Sequence, residues 1–199
     1  MKAIDTVHNQ YVHSRRVNQL CRHFARLIPQ NAKVLDVGCG DGMLASLIQK
    51  ARPDLSLCGI DVLVRSETKV PVEKFDGEKI PYADASFDAV MIVDVLHHTD
   101  NPKILLREAG RVAKNCLLLK DHTKEGFLAN STLRFMDWVG NKKHGVALPY
   151  NYWQKKLWID TFVELNLEVE YWESDLRLYP PFVDTFFGRS LHFIAKLSN

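Results

Sequence analysis

The sequence predicts an open, mostly parallel α/β sheet with helices on both faces, and three observations predict it. Short apolar runs of strand length alternate with stretches of helical spacing. The first run, Lys33 to Val37, passes through Gly38, Gly40 and Gly42 straight into Met43-Leu44-Ala45-Ser46-Leu47-Ile48, which reads as strand, tight turn, helix. Acidic residues and histidines then recur where later apolar runs end, at Asp61, Asp76, Asp94, His97, His98, Asp121 and His122. In open α/β sheets ligands bind beyond the carboxyl ends of the strands, so these side chains would share one rim with Asp36.

Composition bounds the rest. A chain of 199 residues can fill one core and is short for two, so residues 1–199 read as a single domain. With 46% hydrophobic and 25% charged residues it is neither disordered nor membrane-embedded. A net charge of +2 without a Lys/Arg run argues against a nucleic-acid partner. No apolar run approaches the ~20 residues that span a bilayer, and Met1 to Asp5 lack the core of a signal peptide, so the expectation is a cytoplasmic protein without a membrane partner. Cys21, Cys39, Cys58 and Cys116 have no metal-ligand spacing and read as reduced, structural thiols.

Taken in order, Val17, Leu20, Cys21, Phe24, Leu27 and Ile28 fall at helical spacing and Pro29-Gln30-Asn31 stops the helix, making residues 1–30 an N-terminal helical segment. The glycine turn follows, and its acidity is informative. A dinucleotide loop presents a helix N-terminus to a diphosphate, which a carboxylate would repel. Here Asp36 precedes the first glycine, Asp41 lies inside the turn, and Met43 stands where a dinucleotide fingerprint has its last glycine. The turn suits a cationic or neutral ligand.

Val34-Leu35-Asp36-Val37-Gly38-Cys39-Gly40-Asp41-Gly42 resembles the first motif of class I S-adenosylmethionine-dependent methyltransferases, particularly their small type 11 branch, and the resemblance runs from about Lys33 to His122. It implies a Rossmann-like, seven-stranded sheet whose last strand is antiparallel, and S-adenosylmethionine as cofactor. It also implies cofactor contacts at Asp36, Gly38, Cys39, Gly40, Asp61, Val62, Asp76, Gly77 and Asp94. By analogy the segment before the first strand covers the methionine end of the cofactor, with Tyr11, His13 and Arg15 as candidates there.

The second strand, Leu55 to Asp61, ends in an acid ~20 residues beyond the glycine turn, where a carboxylate can accept both ribose hydroxyls. Only Val62 to Val70 precede the third strand, Pro71 to Phe75, too few for a full crossover helix, so that helix is short or missing and the sheet edge thinly covered. Phe75-Asp76-Gly77 through Phe87-Asp88 resembles the family's third motif, which implies that Asp76 accepts a hydrogen bond from the adenine amine and that Gly77 lets the ring lie close. Asp88 to Leu96 is the most continuously apolar strand and therefore central. Pro102 opens a helix at a favoured position, and Cys116 to Lys120 forms the next strand.

After His122 the chain changes character and holds all four Trp. Trp153, Leu157, Trp158, Phe162 and Leu165 fit a helical face, Leu167 to Trp172 alternates like a strand, and Leu191 to Leu197 reads as the last one. Residues 123–152 are expected to cap the substrate.

Methyl transfer from a sulfonium is an in-line displacement that needs alignment in a dry pocket, and a base only when the acceptor must lose a proton. His97, His98 and His122 are the candidate bases. Neighbours at a strand end point apart, so at most one of His97 and His98 should face the pocket, with His98 favoured. The pair reads as no metal site, because zinc wants three or four convergent ligands and no further His/Cys cluster is near in sequence. The Asn/Asp-Pro-Pro-aromatic signature of methylation at base amines in nucleic acids is absent after the fourth strand, which with the charge points to a small-molecule acceptor. Two alternatives stand beside the methyltransferase reading: a non-catalytic S-adenosylmethionine-binding module or partner subunit, and an NAD-dependent oxidoreductase, which Met43 and the acidic turn disfavour.

Overall fold

The computed structural model describes residues 14–141, 150–188 and 190–198. Tyr11 and His13 lie outside these residues, as does the part of the expected cap from 142 to 149. The chain runs α1 (Ser14–Leu27), β1 (Lys33–Val37), α2 (Met43–Ala51), β2 (Ser56–Asp61), β3 (Val72–Lys74), β4 (Phe87–Val93), a 3-10 turn (Leu96–His98), α3 (Pro102–Val112), β5 (Ala113–His122), α4 (Ala129–Asn141), α5 (Lys155–Glu164), β6 (Glu168–Glu173), α6 (Pro181–Phe187) and β7 (His192–Ser198).

The strands form one seven-stranded sheet in the order β3-β2-β1-β4-β5-β7-β6. All are parallel except β7, which lies antiparallel between β5 and β6. The expected sheet, with its antiparallel last strand, is therefore present. Strand order reverses between β1 and β4, the switch point at whose carboxyl ends ligands of such sheets bind.

Alternation along the strands divides the core. Leu35, Val90, Ile92, Leu117, Leu119 and Phe193 face α3 and α5, meeting Leu105, Ala109, Trp158 and Phe162. Val34, Ala89, Met91, Leu118 and Ile194 face the other way, onto Leu20 and Phe24 of α1 and Ala45 and Ile48 of α2. The C-terminal end of α1 is tied to α2 by Arg52, whose Nη1 donates to the carbonyls of Ala25 and Ile28 at 2.7 and 3.2 Å. Orphan carbonyls there thus find a donor from another element.

The connection between β2 and β3 has no helix, as its length requires. It folds back over the glycine turn instead: the Lys69 amide donates to the Asp41 carbonyl at 2.8 Å, and Val70 packs against Gly42. The uncovered edge is protected by shortness and charge, since β3 has three residues and Glu73 and Lys74 on it. Two helices, α4 and α6, lie outside the elements expected from the sequence. No helix among the described residues is long and apolar enough to cross a membrane.

Candidate active site

The glycine turn is held by its own amides. Gly38 and Cys39 N–H donate to the Ile60 carbonyl at 2.8 and 3.3 Å, Gly40 N–H to Asp61 Oδ2 at 2.8 Å, Gly42 N–H to the Cys39 carbonyl at 2.9 Å and Met43 N–H to Asp41 Oδ1 at 3.0 Å. Gly38 has φ +73° and lies so close to Val95 that a Cβ would sit 2.4 Å from its Cγ2. Gly40, at φ +60°, opens onto free space, with no atom within 4 Å of where a Cβ would stand. The turn therefore offers a ligand an open face but none of these five amides, and a diphosphate cradle needs amides. The Cys39 side chain turns away and packs over Gly59 of β2.

Two carboxylates lie beneath. Asp61 accepts Gly40 N–H through one oxygen and Leu63 N–H through the other, at 2.8 Å each, which leaves lone pairs on both for a diol. Asp36 is 3% exposed, and burial first, then the Asp61 charge, push its carboxyl up to about 8. In the folded chain it keeps its proton over a range in which the unfolded chain has lost it. Folding thus takes up a proton between about pH 4 and about 8, and this contribution to stability is full below that window and lost as pH rises through it. Asp36→Asn should flatten that loss: thermal melts from pH 5 to 9 should show the variant gaining on the parent as pH rises, and a constant gap would remove the assignment.

Asp76 is exposed and accepts the Glu78 and Lys79 amides through Oδ1, at 2.8 and 2.7 Å, so neither of these two bonds uses Oδ2. Val62 packs against the face of Gly77, bringing those two positions together beside it. Asp94, at the end of β4 in left-handed conformation (φ +56°), is paired with Arg16 from α1 and with Lys120 from β5. Burial opposes its charge, but Lys120 and then Arg16 hold its carboxyl well below the usual range. Lys120 is fully buried and also bonds His192 Nδ1 at 3.2 Å, while His192 Nε2 meets the Phe187 carbonyl at 3.1 Å. The N-terminal segment thus reaches the rim through Arg16; Arg15 points instead to the Arg177 carbonyl.

Beyond Asp94 the histidines gather. His97 Nδ1 meets Asp121 Oδ1 at 2.7 Å, and Asp121 also accepts the amides of Leu96 and His122 at 3.0 and 2.8 Å. His97 Nε2 and His98 Nε2 each lie 3.7 Å from Oδ1 of Asp137 on α4, whose Oδ2 accepts the Tyr152 hydroxyl at 2.9 Å. The expectation that only one of the two histidines could face inward is corrected here. Strand β4 ends at Val93 and both rings sit on a 3-10 turn, where the alternation of a strand no longer applies. A third side chain lies beside the pair, because α4 brings Asp137 to it.

Their protonation differs. Burial alone would lower His97, but Asp121, aided by Asp137 and Asp94, carries it up to about 10. His122 is pushed down to about 4 by burial and the charges of Lys120 and His97, and His98 is lowered by burial and by His97. His97 is therefore a poor base at neutral pH, which sequence alone does not reveal. Lys120, Arg16, His192, Asp137 and Tyr152 were missed. Lys120 carried the signal that selected the others, an ionisable residue closing an apolar run, whereas Asp137 and Tyr152 carried none.

A family profile described as a methyltransferase domain matches residues 11–172. The chain is 30% identical over 111 residues to the 27-O-demethylrifamycin SV methyltransferase of Amycolatopsis mediterranei, an alignment covering 48% of this chain and 40% of that protein. It is 32% identical over 89 residues to the demethylmenaquinone methyltransferase of Thermotoga maritima, covering 41% and 39%. The chain thus spans less than half the length of these curated relatives. Among solved structures, an S-adenosylmethionine-dependent methyltransferase from Mesorhizobium loti superposes with a TM-score of 0.65 at 12% identity, covering 89% of this chain and 96% of that one, a likeness of fold.

Proposed function

Because this chain belongs to the methyltransferase-domain family, whose methyl donor is S-adenosylmethionine, we propose that it transfers a methyl group from that donor to a small apolar or aromatic acceptor. The observation that carries this reading is the turn. Five of its amides are spent inside the protein, its Gly40 face is open, the Asp61 carboxylate lies under it and Asp41 stands in the turn, while Asp36 beside them keeps its proton up to about pH 8. That field attracts a sulfonium and an ammonium and repels a diphosphate, which disfavours the dehydrogenase alternative.

When bound, the donor supplies an electrophilic methyl carbon for in-line displacement. The residues of this chain bind and orient. Asp61 takes the ribose hydroxyls on lone pairs left by the Gly40 and Leu63 amides, Asp76 takes the adenine amine, and Val62 and Gly77 border the ring. At the methionine end Asp94 faces the ammonium and Arg16 the carboxylate, so the two remain an ion pair that gains a second pair. The residues that follow β5 exclude water above the rim: α4 sets Leu133 and Asp137 inward, and the single hydroxyl hydrogen of Tyr152 is shared between Asp137 Oδ2 at 2.9 Å and the Leu133 carbonyl at 3.2 Å.

An apolar acceptor is supported by the cap, where Phe127, Leu128, Phe135 and Trp138 are all about half exposed or more. The names of the two relatives, a rifamycin-type and a menaquinone-type acceptor, agree with it. The test is a labelled-methyl assay over phenols, hydroquinones and aliphatic alcohols, preceded by calorimetry with S-adenosylmethionine and NADH. Binding of the sulfonium nucleoside with transfer to one of these classes is expected. Heat with NADH alone would overturn the reading, and tight S-adenosylmethionine binding without transfer to any nucleophile would make the chain a cofactor-binding module.

A further inference from the structure

We propose that Nε2 of His97, Nε2 of His98 and the carboxylate of Asp137 form a binding site for one divalent transition-metal ion, which fastens the cap helix α4 to the rim of the sheet. The site stands on its own geometry and does not depend on methyl transfer.

The three groups converge, with each histidine at ion-pair distance from Asp137. Both imidazole nitrogens are 3.7 Å from Asp137 Oδ1, and the three candidate ligand atoms lie within 4.8 Å of each other. Such separations are too long for hydrogen bonds. The two nitrogen-to-oxygen separations are close to what a shared ion requires: bonds of 2.0–2.2 Å in a tetrahedral site set ligand atoms about 3.3 Å apart, so each histidine needs to close on Asp137 by a few tenths of an ångström. Two imidazoles and one carboxylate suit zinc and its neighbours in the first transition row, and three protein ligands leave a further position open.

The surroundings are those of a metal site beyond its ligands. A ligating histidine ordinarily donates its other ring N–H to a carboxylate, and the ligating carboxylate is itself hydrogen-bonded. His97 meets Asp121 through Nδ1 at 2.7 Å, and Asp121 is fixed in turn by the amides of Leu96 and His122. Asp137 accepts the Tyr152 hydroxyl on the oxygen opposite the histidines. His98 is the group that nothing else explains. Its ring lies tilted on His97 with centroids 4.0 Å apart and is held inside the rim with Nε2 3.7 Å from Asp137 Oδ1, while its buried Nδ1 has no hydrogen-bond partner among the described residues.

A second grouping, His97, Asp121 and His122, also converges but does not serve. There the His97 to Asp121 separation is a hydrogen bond of 2.7 Å, shorter than two ligands of one ion stand apart, and Asp121 is already committed to two amides. The geometry therefore selects the triad that includes α4. Its ligands come from the turn after β4 and from α4, so an ion there closes a loop between rim and cap and should stabilise the cap most.

The experiment is a Zn²⁺ titration of the full chain, stripped with chelator, followed by calorimetry and by metal content after gel filtration, with Co²⁺ as a spectroscopic probe. One ion per chain is expected, with Co²⁺ bands of a nitrogen and oxygen ligand set. His98→Gln and Asp137→Asn should each weaken binding at least 100-fold, and Asp121→Asn, which removes only the outer support, about 10- to 100-fold. Zn²⁺ should raise the melting temperature of the parent and not of the first two variants, whose folding is checked by circular dichroism in chelator. No uptake, unchanged affinity in both His98→Gln and Asp137→Asn, or a thiolate-to-cobalt charge-transfer band pointing to the cysteines would each overturn the assignment.

Discussion

Asp61→Ala should lose measurable S-adenosylmethionine binding while the chain still folds. The carboxylate does two jobs at once: its oxygens anchor the Gly40 amide of the turn and the Leu63 amide after β2, each at 2.8 Å, and the lone pairs left over are those assigned to the ribose. Hydrogen bonds to a charged group are worth about 1.5–3 kcal/mol each, so losing a bidentate ribose contact together with the anchor that keeps Gly40 in place amounts to several kcal/mol, or more than 100-fold in affinity. Asp61→Asn separates the parts. Its amide oxygen can still take one backbone N–H, but its NH₂ faces a second donor, so an intermediate loss is expected. Calorimetric titration with S-adenosylmethionine and with S-adenosylhomocysteine reads both variants. Near-native affinity in the alanine variant would show that the ribose lies elsewhere.

The legibility of this site in the sequence follows from topology. In a parallel sheet every forward strand ends at the same edge, so a polar residue closing an apolar run is placed at the rim by that fact alone, and Asp61, Asp94, Asp121 and His122 all sit at or just beyond the carboxyl ends of β2, β4 and β5. What the runs could not tell is which way a side chain turns once the strand has ended. Asp94 turns in a left-handed residue and His97 and His98 on a 3-10 turn, and in neither place does alternation hold. The partners brought in by packing between elements were equally hidden: Asp137 and Tyr152 meet the histidines only because α4 lies over the rim, and Arg16 only because α1, itself legible as a helix, lies beside Asp94. The shortened β2 to β3 connection was legible from length alone, because nine residues leave no room for a crossover helix plus its turns.

The buried ions at the end of β4 give the second large effect, on stability. Asp94 is the counter-charge for two cations, of which Lys120 is fully buried and Arg16 only partly exposed. Breaking a buried pair by removing one member leaves the other charge unsolvated, at a cost of about 3–5 kcal/mol, whereas replacing both by neutral groups is far milder. Asp94→Asn, chosen because asparagine tolerates the left-handed backbone, strands Lys120 and Arg16 together and should cost on the order of 3 kcal/mol. Lys120→Met should cost less, because Arg16 still pairs with Asp94 and the methionine fills the space of the lysine stem. The double variant Asp94→Asn/Lys120→Met should recover much of the loss, so that the two substitutions are far from additive. Urea midpoints of the three variants, measured without cofactor, give the coupling. If Asp94→Asn falls within about 0.5 kcal/mol of the parent, the size of an ordinary surface change, then the network neither holds β4 to β5 nor ties α1 to the rim. If the ordering holds, the carboxylate proposed to face the methionine end of the cofactor also steadies the unliganded sheet, and its two cations fix it in place before any ligand arrives.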